Sequence, residues 1–318
     1  PYRRQRQMCI RDRITLKTPN SNLLWTLTGR AGLVFDKDAK YDLKTQAVGS
    51  GPYTVAKFVE NSSITLKANE KYWGKNRAKT PTVVVKYLAD DNAAVNALKS
   101  GDVQVLAPIT ENLAEPFKSD SAKYTVKAGN GTDKFVLGFN NASGSKLADK
   151  RIRQAIRYAI NHKELIASRG GADKALGGPI PSLDPGYEDL TNLYPYDQNK
   201  AKSLMAEAGY STDKPLQLTL TYANIYGTEL GDQLRSQLKP LGIDLKVNVV
   251  EFSTWLQDVY TNHTFDISLV DHNESHDFAS WTDPTYYFGY DNKNVTKLYN
   301  EGVAATSDKE LSLIHISE

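Results

Sequence analysis

Cysteine is nearly missing from this chain. One residue, Cys9, stands among 318, so no internal disulfide and no cysteine-rich metal site can be built. Long apolar runs are missing too, and nothing approaches the ~18 residues a helix needs to span a bilayer. A strong charge of either sign is also absent. There are 39 basic and 37 acidic residues, a formal balance of +2. Even that excess is terminal: residues 1–13 carry five arginines against Asp12, and residues 311–318 carry only Glu318, so 14–310 is left with one net negative charge. No basic surface for nucleic acid follows from such a composition.

Catalytic signatures are equally scarce. Val48-Gly49-Ser50-Gly51-Pro52 lacks the spacing of a Gly-x-Ser-x-Gly elbow and reads as a turn before a strand. Gly129-Asn130-Gly131 lacks the third glycine and the following helix of a dinucleotide site. No phosphate-binding loop ends in Gly-Lys-Ser/Thr. Asp90-Asp91 is better explained as a helix start, where the backbone dipole favours acidic residues. The sequence therefore implies no cofactor and no enzyme, with a carboxylate-based envelope hydrolase as an alternative.

What remains is an ordinary globular composition, with 40% apolar and 24% charged residues. Its length suggests about two domains. Both ends read differently from the body. The strings MCIRDR and LSLIHI resemble translated sequencing adapters, so 1–13 and 311–318 are set aside as artefacts. The body, 14–310, then has no cysteine, which is compatible with export.

Within the body, Tyr53–Phe58 and Ile64–Ala68 flank a polar turn and predict a hairpin. Val83–Leu88 predicts a buried strand. A helix follows, with Asp90 as its cap and Gly101 as its stop. Val103–Ile109, Tyr124–Ala128 and Phe135–Asn140 read as strands, with a short helix at Asn112–Phe117. Ile152, Ala155, Ile156, Ala159 and Ile160 then recur at helical spacing, with Arg151, Arg153 and Arg157 outside that stripe. Asn161 and Glu164 form a variant capping box for a second helix. Residues 169–196 read as a long loop, and Asp197 caps the next helix, stopped by Gly209. Leu216–Tyr222, a leucine stripe from Leu230 to Leu241, and Ile243–Val249 spell strand, helix, strand with parallel pairing. A helix at 253–261, a strand at Phe265–Val270 and a final helix near 294–305 complete the body.

In open α/β sheets ligands bind beyond the carboxyl ends of the strands. Strand Phe265–Val270 runs into Asp271-His272-Asn273-Glu274-Ser275-His276-Asp277-Phe278-Ala279-Ser280-Trp281. That stretch offers acids to hold a charged group and aromatics to stack on a ligand. His272 and His276 are four apart, but in a loop the spacing implies no shared face, so no metal site is assigned.

Several ordered motifs then match one family. They are Gly49-Ser50-Gly51-Pro52-Tyr53, Asn69-Glu70-Lys71-Tyr72-Trp73-Gly74, Gly101-Asp102-Val103-Gln104, Leu137-Gly138-Phe139-Asn140-Asn141, Asp149 through Asn161, Gly178-Pro179-Ile180-Pro181, and Tyr194-Pro195-Tyr196-Asp197 with Ala206–Tyr210. Over about 48–300 the chain resembles the extracellular solute-binding proteins of peptide and nickel ABC importers, family 5 type. The resemblance implies an α/β, two-lobed periplasmic-binding-protein-like fold of type II, with mixed sheets flanked by helices. It implies an incomplete copy: 14–139 as part of lobe I and 140–310 as lobe II, with Asn140 on the crossing. It further implies a monomer outside the cytoplasmic membrane, with a lipid anchor as one form of attachment. Such a protein would capture an oligopeptide or dipeptide in an interlobe cleft and hand it to permease subunits. In peptide-binding members an acidic residue after the strand matching Phe265–Val270 meets the peptide amine. Here Glu274 and Asp277 both qualify, beside His272 and Trp281. The spacing departs from those members, and a nickel-type metal or chelate binder using His272 and His276 is the alternative on the same fold.

Overall fold

The computed structural model describes residues 14–307, apart from 36, 37, 39, 43, 185 and 275. Both adapter-like termini, and Cys9 with them, lie outside the described residues. The chain divides into two compact units. One is Asn22–Ala114; the other runs from Glu115 onward and includes the residues up to Ser21. This division lies ahead of the 139/140 junction expected from the sequence.

The smaller unit holds helix α1 (Leu23–Thr28) and a three-stranded antiparallel meander. Its strands are β1 (Tyr53–Val59), β2 (Ser63–Ala68) and β3 (Thr82–Lys86), in sequence order across the sheet. Helix α2 (Asp91–Ser100) starts where the Asp90 carboxylate accepts the Ala93 N–H at 2.7 Å, and it ends at Gly101 in the left-handed region. Helix α3 (Glu111–Ser119) crosses the division. The strand expected at Val103–Ile109 does not form. Among the described residues no strand shares a ladder with it, and Val105 is 82% exposed. β-propensity without a partner leaves backbone groups to solvent. Tyr124–Ala128 is likewise no strand. Its Tyr124 packs edge-on against Phe117 instead, with ring centroids 4.8 Å apart.

The larger unit contains β4 (Lys134–Phe139), α4 (Lys150–Ala159), α5 (His162–Ser168), α6 (Gln198–Glu207), β5 (Leu216–Ala223), α7 (Glu229–Leu238) and β6 (Ile243–Val250). After these come α8 (Phe252–Trp255), which continues as a π-helical turn over Leu256–Thr261, then β7 (Ile267–His272) and α9 (Lys293–Val303). The sheet order is β4-β7-β5-β6. β5 is parallel to both β6 and β7, while β4 runs antiparallel to β7. The expected β5–α7–β6 unit is therefore present, and so is the strand after α8, shifted two residues along so that His272 ends it.

Local chemistry sets these boundaries. Asp149, Asn161, Asp197 and Asn292 each accept a backbone N–H from the first turn of the helix that follows. The apolar stripe of α4, Ile152, Ala155, Ile156 and Ala159, is buried in one cluster with Leu218 and Leu220 of β5 and Leu234 and Leu238 of α7. A second cluster gathers Trp255, Val259, Phe265, Val270, Tyr287 and Phe288. There the Trp255 indole N–H donates to the buried Ser268 hydroxyl at 2.9 Å.

The turn into β6 depends on one glycine. Gly242 has φ +78°, and a Cβ there would lie 2.2 Å from the Ser211 carbonyl carbon. Gly242→Ala meets both a left-handed backbone and a backbone clash. We expect a loss of roughly 2–5 kcal/mol, read as a lowered urea midpoint; an unchanged midpoint would contradict this packing.

Candidate functional site

A solvent-open cleft of about 830 Å³ lies within the larger unit. One wall is the stretch from Gly129 through β4. The opposite wall combines α4, α5 and the loop after α5 as far as Ser182. Phe278, Trp281 and Phe288 close one side. Their rings form a continuous apolar surface: Trp281 lies 5.2 Å from Phe288 and 6.1 Å from Phe278, centroid to centroid. Large aromatic faces of this kind stack on a ligand body without dictating its sequence.

Of the five residues singled out from the sequence, only Trp281 lines the cleft. Asn140 is 9% exposed, and its amide N–H groups donate to the carbonyls of Phe265 (3.0 Å) and His263 (3.2 Å). Its side-chain oxygen accepts the Ala142 N–H at 3.1 Å. Asn140 thus ties the end of β4 to the start of β7. His272 sits between two partners, with Nδ1 3.2 Å from Asp277 and Nε2 3.3 Å from the Tyr287 hydroxyl. Its ring stacks on Phe288 at 5.9 Å. Glu274 is exposed, and its backbone carbonyl accepts from Lys134 Nζ at 2.9 Å. His276 donates its backbone N–H to Asp184 at 2.7 Å. Among the described residues, no three His, Cys, Asp or Glu side chains group to hold a metal ion.

Asp277 has a partner that sequence reasoning missed. Lys134 Nζ lies 3.1 Å from its Oδ1, with the lysine side chain 2% and the aspartate 11% exposed. Lys134 opens β4 opposite His272 in the ladder, so strand pairing itself brings this cation to the loop after β7. The only signal in the sequence was a single lysine heading an apolar strand.

The cleft is rich in cations. Arg169 pairs with Asp173 at 2.7 Å and lies 4.2 Å above the Phe135 ring, a cation–π arrangement. Lys174 donates to the Asn130 side chain at 2.9 Å. Arg153 donates to the carbonyls of Leu147 (2.7 Å) and Ala148 (2.9 Å). Arg157 donates to those of Gly177 (2.7 Å) and Leu176 (3.3 Å). Burial pushes both arginines below their ordinary value. Burial, and then the Arg157 charge, also hold His162 below 6.5.

Two outcomes test this electrostatic picture. Lys134→Met strands a buried carboxylate and should cost about 3–5 kcal/mol. The double variant Lys134→Met/Asp277→Asn should recover most of that loss in chemical denaturation, and a single variant as stable as the parent would refute the pairing. For His162, the unfolded chain binds the proton more readily than the folded one. Its contribution is therefore complete above about pH 6.5 and declines as pH falls below it, until the folded value is passed. Between about pH 7.5 and about pH 5, urea midpoints should fall more steeply for the parent than for His162→Asn. Equal slopes would contradict the burial of His162.

Comparison with known proteins places this architecture. Residues 13–295 match the family described as bacterial extracellular solute-binding proteins, family 5 Middle. Di/tripeptide-binding protein 2 of Pseudomonas aeruginosa is 26% identical over 227 residues, which make up 70% of this chain and 42% of that protein. The chain spans about half the length, or less, of the curated relatives it matches. NikA from Staphylococcus aureus, solved with Ni(L-His)2, superposes with a TM-score of 0.77 at 20% identity, over 95% of this chain and 66% of that one. The oligopeptide-binding protein AppA from Bacillus subtilis, solved with a nonapeptide, gives 0.65 at 23% identity, over 84% and 57%. The fold is that of type II periplasmic binding proteins, α/β with mixed sheets flanked by helices. With the match running through both compact units, the chain belongs to family 5 of the bacterial extracellular solute-binding proteins.

Proposed function

We propose that this chain captures peptides for an ABC importer, outside the cytoplasmic membrane, and releases them unaltered to the permease. The observation that carries this reading is the cleft of the larger unit. It offers aromatic faces at Trp281, Phe278 and Phe288, a strand along its length, and fixed positive charge from α4. Such a lining holds a main chain and one charged end while leaving side chains in wet space. The name of the Pseudomonas relative supports peptides as the solute class. Of the two acids expected to meet a peptide amine, Asp277 faces Lys134 of its own chain and lies beside His272, while Glu274 is exposed.

Calorimetry of the whole chain with trialanine, and separately with nickel bis-histidine, tests the proposal. Saturable trialanine binding with no change in the recovered peptide is the expected result. Binding of the nickel complex alone would replace peptides with metal chelates. Hydrolysis of the peptide would replace capture with catalysis.

A further inference from the structure

We propose that Arg153 and Arg157, on the cleft face of α4, form a seat for a ligand carboxylate; the inference rests on the binding role given above and names the chemistry it recognises. Lys150, Arg153, Gln154 and Arg157 are spaced three, four and seven residues along one helix, and all four line the cleft. Residues at that spacing share a face, so the helix presents one polar, cationic stripe to the cavity while its apolar stripe is buried behind it.

The two guanidinium groups differ from Lys134 and Arg169 of the same cleft. Lys134 meets Asp277, and Arg169 meets Asp173. Among the described residues Arg153 and Arg157 make no ion pair, and their hydrogen bonds go to main-chain carbonyls alone. Those bonds use Nη1 of Arg153 and Nη2 of Arg157. Nε and Nη2 of Arg153, and Nε and Nη1 of Arg157, have no acceptor among the described residues. On Arg153 the two remaining nitrogens present parallel donors, the arrangement that accepts a carboxylate through two hydrogen bonds. Two partly desolvated like charges four residues apart on a helix also repel each other. A ligand anion between them would relieve that repulsion; within the chain, the Asp149 carboxylate bears on Arg153 but is paired with Arg151.

Charge balance elsewhere in the cleft agrees. Asp277 is paired with Lys134 and does not line the cleft, so this carboxylate is not the one left for a ligand ammonium. The end that the α4 arginines would recognise is the negative one. Two sources share that chemistry, the C-terminus of a peptide and the carboxylates of a metal chelator.

The test is calorimetry of the whole chain with trialanine, trialanine amide and metal-free citrate. The parent should bind trialanine at least about tenfold more tightly than its amide. Raising NaCl from about 0.02 M to about 0.5 M should weaken the acid and leave the amide unchanged. Arg157→Gln keeps donors for the Leu176 and Gly177 carbonyls but removes the charge. It should lose most of the acid's advantage with little effect on the amide. Citrate binding without trialanine binding, weakened about tenfold in Arg157→Gln, assigns the seat to a chelator instead. Equal binding of acid and amide, with no citrate binding, overturns the carboxylate seat and leaves peptide capture standing. Should Arg157→Gln fail to fold, the acid-to-amide ratio and its salt dependence in the parent decide alone. Binding of none of the three overturns the seat and the proposed function together.

Discussion

The antiparallel register of β4 against β7 is the constraint on which the larger unit depends. Lys134 opposes His272, Gly138 opposes Ser268 and Phe139 opposes Ile267. Because side chains alternate along a strand, a slip of one residue would exchange the two faces of β4. Lys134 would leave Asp277, and a bulky neighbour would replace Gly138 beneath Phe288, where even a Cβ would come within 2.6 Å of the ring. Asn140 locks the far end by binding the carbonyls of His263 and Phe265 just before β7. Sheet register, aromatic packing and the electrostatics of the loop are thus one arrangement seen at three places.

The charged residues around the cleft divide by what they face. Asp149 and Arg151 satisfy each other at the start of α4, and the Arg151 hydrogen bond holds the Asp149 carboxyl below the usual carboxylate range. Lys134 and Asp277 pair at the end of β7, beside the His272 ring. Charges matched internally fix geometry, because removing either partner leaves the other desolvated. Arg153 and Arg157 make no ion pair among the described residues and donate to main-chain carbonyls, which leaves their positive charge facing the cavity.

Much of the fold was legible because it rests on local pattern. The helical stripe Ile152–Ile160, the alternation of Leu216–Tyr222 and the caps Asp90, Asn161 and Asp197 each carry their own period or their own hydrogen bond. Where strand formation needed a distant partner, the same reasoning failed, as at Val103–Ile109 and Tyr124–Ala128. The site was less legible for a related reason. The loop after β7 was singled out for its acids and histidines, but Asp277 faces Lys134, a residue far away in sequence that only the β4–β7 ladder brings near. Arg153 and Arg157 were visible as lying outside the apolar stripe. Nothing local distinguished them from solvated surface, because the rest of the cleft comes from β4, the loop after α5 and the residues after β7.

These relations bear on how a cleft can tolerate varied ligands and still discriminate. Aromatic faces and main-chain groups bind many side chains almost equally well, so they supply affinity with little choice. Selectivity then falls to the few fixed charges whose desolvation must be compensated by something that enters. In this unit Asp277 already faces Lys134, whereas Arg153 and Arg157 make no ion pair among the described residues. Internal pairing and the proposed ligand recognition thus fall on different elements: the lysine that opens β4 occupies the Asp277 carboxylate, while the hydrogen bonds of Arg153 and Arg157 go to main-chain carbonyls and leave positive charge on the α4 face as what a ligand would answer.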